Sequence, residues 1–120
     1  MLTLICGLPR AGKTTYSENF KWCKVVHLDL CGKYEGVCNV ISHINDDVVV
    51  EGIYDTAEKR KRLLHSYKGV GAKCIWMDTP LEIRKLRHGY HRNYEYFEPP
   101  SRDEGWDEVI RIVGENNVNL

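Results

Sequence analysis

Residues 7–14 read GLPRAGKT, two glycines five positions apart followed by a lysine and a hydroxyl side chain. This is the pattern G-x-x-x-x-G-K-[ST]. Gly7 and Gly12 free the backbone to curl, so that its N–H groups converge on phosphate oxygens. Lys13 adds a mobile ammonium for the β- and γ-phosphates of a nucleoside triphosphate, and the Thr14 hydroxyl is placed to hold Mg²⁺. The pattern requires a strand before it and a helix after it. Residues 1–6 (MLTLIC) form a short apolar run of strand length, and residues 13–20 can open a helix whose free N–H groups and positive dipole end face the same anion. The plain alternative is a glycine turn between a strand and a helix. The match in residue types and in setting favours a phosphate-binding P-loop, with Gly7, Leu8, Pro9, Arg10, Ala11, Gly12, Lys13, Thr14 and Thr15 as the nucleotide site and ATP and Mg²⁺ as its ligands.

Three carboxylates extend this chemistry. Asp29 follows an apolar run, residues 24–28 (KVVHL). A carboxylate there, facing the γ-phosphate, can accept the proton of an attacking hydroxyl; the competing role is a turn or cap aspartate. Glu51 closes the most apolar run, residues 47–51 (DVVVE), where an acidic residue can hold a Mg²⁺-bound water. Its competing role is a polar strand end. Asp78 closes a third run. Arg84, Lys85, Arg87 and Arg92 cluster further on, and arginines on a flap over the phosphates can neutralise a loose transition state. Arg87 and Arg92 lie nearest the helix-to-loop break. The competing role is a solvated basic face, which is also how the basic run 56–62 (TAEKRKR) reads. Residues 88–97 interleave aromatics with His91 and Arg92, a composition that stacks bases or packs a lid on itself. His27, His43 and His65 have no spacing that suggests a metal site.

The elements that must position these groups alternate. Strands are expected over residues 1–6, 24–28, 47–51, 72–77 and 107–113. A helix is expected from residue 15 to 22, an ambiguous stretch from 30 to 46 with one short helical patch, and a basic amphipathic helix from 56 to 67. Thr79 is expected to cap a helix with Pro80 in its first position, running to about residue 87. The tail ENNVNL is expected to fray. Alternation of this kind implies a parallel sheet covered on both faces, with ligands beyond the C-terminal strand ends. Gly7, Asp29, Glu51 and Asp78 all follow a strand directly and so fall on one rim.

A chain of 120 residues makes one domain, residues 1–120, with a lid at about 84–100. The 17 Lys+Arg balance 17 Asp+Glu, so bulk charge announces neither nucleic acid nor membrane. No apolar run is long enough to span a bilayer, and the first residues lead straight into a core strand, which argues against a secretory signal. Five cysteines with no C-x-x-C pair suit a reducing cytoplasm; Cys6 and Cys74 lie in apolar runs, and Cys31 and Cys38 match no metal spacing.

Beyond the glycine loop, scattered blocks over most of the chain resemble the polynucleotide kinase family of P-loop kinases. GLPRAGKTTYSENF is similar to its P-loop and first helix, HLDL to its second strand, VVVEGIYDTAEKRKRLL to its third strand and following helix, and WMDTPLEIRKLRHGYHR to its D-x-P strand end and lid arginines. YFEPPSRDEGWDEVIRI is similar to the family's ending. The resemblance implies a P-loop NTPase fold with strand order 2-3-1-4-5, Asp29 as general base, and Arg87 and, with a one-residue slip, Arg92 as lid arginines. The chain departs from the family where Glu51-Gly52 replaces Asp-Asn or Asp-Thr-Asn. It departs again where Gly32, beside Lys33, replaces a basic residue one turn after the strand-two aspartate. It carries no fused phosphatase domain and is shorter than most members. These departures resemble small phage-type kinases of the group that phosphorylate the hydroxyl of 5-hydroxymethyluracil in DNA, a base that must be extruded from a duplex first. The implied activity is ATP-dependent phosphoryl transfer to a hydroxyl on nucleic acid, DNA favoured over RNA, in the cytoplasm of a bacterial or phage-infected cell. A 5′-hydroxyl polynucleotide kinase, a small-molecule nucleoside or sugar kinase, and a non-catalytic nucleotide-binding module are the alternatives.

Overall fold

The computed structural model describes the chain apart from residues 21, 88–95 and 115. Its centre is a six-stranded sheet. In chain order the strands are β1 (Leu2–Cys6), β2 (Lys24–His27), β3 (Val48–Gly52), β4 (Ala72–Met77), β5 (Glu108–Val113) and β6 (Asn116–Asn119). They lie side by side as β2-β3-β1-β4-β5-β6. The first five are parallel and β6 returns antiparallel on β5. Residues 116–120 are therefore paired to β5, contrary to the expected fraying: Gly114, at φ 61, turns the chain so that Asn116 meets Val113.

Alternation along each strand sorts its side chains between two cores. Leu2, Leu4 and Cys6 of β1, Val48 and Val50 of β3, and Cys74 of β4 pack on one face with Val37, Ile41, Leu63 and Trp106. That face is covered by α3 (Tyr34–Ile41) and α4 (Ala57–Ser66). Ile5, Val49 and Ile75 point the other way, against Tyr16 and Phe20. This second face is covered more thinly, by α1 (Lys13–Ser17) and the 3₁₀ turn Glu18–Phe20. The first helix is thus one short α-helical segment with a tightened end rather than a run to residue 22.

The remaining helices also depart from expectation in detail. β2 gives way to a short helix, α2 (Leu28–Cys31), so Asp29 sits in a helical first turn instead of at a strand end. Thr56 caps α4 by accepting a hydrogen bond from the Lys59 amide. The run after it is not all surface: Arg60 is fully buried. The last helix, α5 (Leu81–Lys85), begins after Pro80, which is itself the cap residue. Thr79 does not cap it. Among the described residues no helix is long and apolar enough to cross a membrane.

Candidate active site

A cleft of about 930 Å³ opens at the C-terminal ends of the strands. Its wall begins with the loop after β1. Gly7 closes on β4: a Cβ there would stand 2.6 Å from the Met77 carbonyl oxygen, so no side chain fits. Its amide donates to Ile53 O at 3.3 Å. Gly12 holds φ 94, the left-handed region that costs a residue without a Cβ least. Between them Arg10, which is not glycine, also holds a positive φ of 67. Residues 9–15 line the cleft. Gly7 and Leu8 lie behind them; the Leu8 carbonyl accepts a 2.9 Å hydrogen bond from Lys13 Nζ.

Two contacts from the β4 side brace this loop. Thr79 Oγ1 donates to Ala11 O at 2.6 Å. Arg87 Nη1 donates to Arg10 O, and the guanidinium crosses over Gly12. Arg87 therefore lies at the loop and lines the cleft. Arg92 falls outside the described residues, as does most of the aromatic stretch expected to form a lid. Arg84 is buried, with Nε donating to Thr79 O at 3.1 Å, and so belongs to the packing of α5 rather than to a solvated face.

The acidic groups divide. Asp29, exposed on α2, and Glu51, buried at the end of β3, both line the cleft. Asp78 does not. It accepts from Arg111 Nε at 2.7 Å, and Arg111 in turn stacks over Trp76. The expected rim of three carboxylates thus has two members at the cleft and one committed to β5. Glu51 has a partner that sequence reasoning missed: His27 Nδ1 lies 2.9 Å from its Oε2. The only hint in the sequence is that His27 and Glu51 stand near the ends of successive apolar runs, which matters once the register pairs them.

Lys13 is the electrostatic centre. Burial pushes its ammonium below the ordinary lysine range, and the carboxylates Glu51 and Asp29 pull it partly back. A buried ammonium beside a curled loop is suited to an anion that replaces the lost hydration. The backbone N–H groups that open α1 at Lys13, Thr14 and Thr15 have no intrahelical acceptor, as at any helix start, and point the same way. For a divalent ion, the described residues hold no group of three or more His, Cys, Asp or Glu side chains. The Thr14 hydroxyl and the Glu51 carboxylate nevertheless both border the cleft. That sparse donor set fits Mg²⁺, which keeps several waters and relies on substrate phosphates, and does not fit an all-protein cage.

No protein-family model and no curated protein matches the sequence. Among solved structures the chain is similar to a sugar kinase from a Janibacter species, solved without ligand, at TM-score 0.65 and 12% identity, over 93% of this chain and 84% of that one. At that identity the likeness is one of fold. The chain has a kinase-like α/β fold.

Proposed function

We propose that this protein is an ATP-dependent phosphotransferase with a P-loop kinase fold. On this reading the acceptor is a hydroxyl on nucleic acid, and the favoured acceptor is the 5-hydroxymethyl group of hydroxymethyluracil in DNA. The observation that carries the reading is the meeting of the glycine loop, Lys13, Asp29 and Arg87 around one cleft. Lys13 and the loop N–H groups bind and orient the triphosphate. Asp29 accepts the acceptor's proton as its oxygen bonds to the γ-phosphorus; the bond from that phosphorus to the β,γ-bridging oxygen breaks and ADP departs. Arg87, already at the loop, offsets charge on the transferred group. Thr14 and Glu51 would hold Mg²⁺, which would supply charge neutralisation to the triphosphate.

The nucleic-acid acceptor rests on the sequence resemblance. A second reading, a small sugar or nucleoside alcohol as acceptor, draws on the fold shared with a sugar kinase and on a cleft volume within the range of small-ligand sites. Labelled ATP, offered in turn with DNA containing 5-hydroxymethyluracil, a 5′-hydroxyl oligonucleotide, free nucleosides and free sugars, separates the readings. Mass spectrometry of nucleosides from the treated DNA should show a phosphorylated hydroxymethyl base. Label in free sugars alone would establish the second reading, and binding of ATP with no transfer to any acceptor would refute both.

A further inference from the structure

His27, the last residue of β2, and Glu51, one residue before the end of β3, are partners in register on neighbouring parallel strands. Each stands two residues after a side chain of the thinly covered core, Val25 and Val49, so both turn to the face that α1 covers. The Glu51 side chain is 6% exposed and that of His27 28%. Glu51 lines the cleft, whereas His27 is not among its lining residues. The imidazole therefore grips Oε2 from outside the cleft, 2.9 Å away, while Lys13 feels the same carboxylate as its strongest negative neighbour. A one-residue slip of β2 would send the imidazole to the opposite face and leave a buried carboxylate without this donor.

We propose that His27 is a positioning residue for Glu51: by holding Oε2 it sets the direction in which the carboxylate meets a phosphate-bound divalent cation. The inference rests on the kinase reading of the cleft. It assigns His27 no contact with nucleotide or acceptor. A ligating carboxylate that is free to swing loses affinity for its ion, and outer partners that orient such ligands are typically worth ~10–100-fold.

The test uses Mn²⁺ in place of Mg²⁺, on the full chain with saturating ADP. Mn²⁺ affinity is read by electron paramagnetic resonance, beside metal-free ADP affinity and the thermal midpoint. His27→Asn keeps a nitrogen near the Nδ1 position, and His27→Gln carries it one bond further out. The Asn variant should bind Mn²⁺ within roughly threefold of wild type, and the Gln and Val variants roughly tenfold or more weakly, all with unchanged metal-free ADP affinity. In a Glu51→Gln background, His27→Gln should add no further loss. Wild-type Mn²⁺ affinity in His27→Gln, or a loss that persists undiminished in the Glu51→Gln background, overturns the inference while leaving the kinase reading standing. Failure of the wild-type chain to bind ADP at all overturns both.

Discussion

Arg60 and Glu104 meet through two parallel hydrogen bonds of 2.9 Å, from Nε to Oε1 and from Nη2 to Oε2, with the arginine side chain 0% and the glutamate side chain 5% exposed. The same guanidinium donates to Tyr54 O at 2.7 Å and lies over the Phe97 ring. Trp106 Nε1 adds a hydrogen bond to Glu104. One cation thus joins α4, the loop after β3 and the segment that leads into β5.

Removing one partner of such a pair strands the other charge. Arg60→Met is expected to cost ~3–5 kcal/mol, and Glu104→Leu a comparable amount, in urea unfolding with an unchanged slope. The double change Arg60→Met with Glu104→Leu should recover a large part of that loss. Additive losses would show that the two side chains are not energetically paired.

Tyr54 gives an opposite expectation. It is fully buried, holds a left-handed φ of 43, and among the described residues its hydroxyl has no hydrogen-bond partner. Burial pushes its phenol far above the ordinary range, so it stays neutral at any working pH. Tyr54→Phe removes a desolvated hydroxyl and keeps the ring that packs edge-on to Tyr34. The variant should be more stable by about 1 kcal/mol, measured by the same urea titration. A loss of similar size would mean that the hydroxyl is satisfied in solution.

Lys13 should trade stability for binding. Its lowered pKa means that the folded chain gives up this proton more readily than the unfolded chain does. Stability therefore gains from this group as pH rises from the lowered value toward the ordinary 10.5, and the charged form is a cost at neutral pH. Lys13→Met should raise the thermal midpoint of the ligand-free protein at pH 7 by a few degrees and abolish ATP binding. A lowered midpoint would show that the hydrogen bond to Leu8 outweighs the burial cost.

Asp29→Asn keeps the size of the side chain and removes its capacity to take a proton. Turnover should fall by ~10²–10⁴-fold with ATP affinity nearly unchanged. Wild-type turnover in this variant would exclude Asp29 as the base.

The parts of this protein that local chemistry determines were visible in the sequence. The glycine loop was visible because Gly7 and Gly12 occupy positions where a close approach and a positive φ demand them. The five parallel strands were visible because a buried strand needs an uninterrupted apolar run. What stayed hidden depends on partners distant in the chain. Arg60 sits in a run of charges, and its burial is made tolerable by Glu104, 44 residues further along the chain, and by the Tyr54 carbonyl. Thr79 has the type and spacing of a helix cap, yet its hydroxyl finds the Ala11 carbonyl first. His27 gains a role through strand register alone. The asparagine-rich tail has little strand propensity of its own and is held by β5.

That last strand changes how the molecule presents itself to others of its kind. A parallel sheet ending at β5 would offer Ile110 and Ile112 on an open ladder, a template on which another chain could extend. β6 occupies that ladder with four exposed residues, three of them asparagine, too short and too polar to invite a neighbour. Trimming the chain after Gly114 should leave the cleft intact and make the protein self-associate on concentration more readily than the full chain, as sedimentation would show.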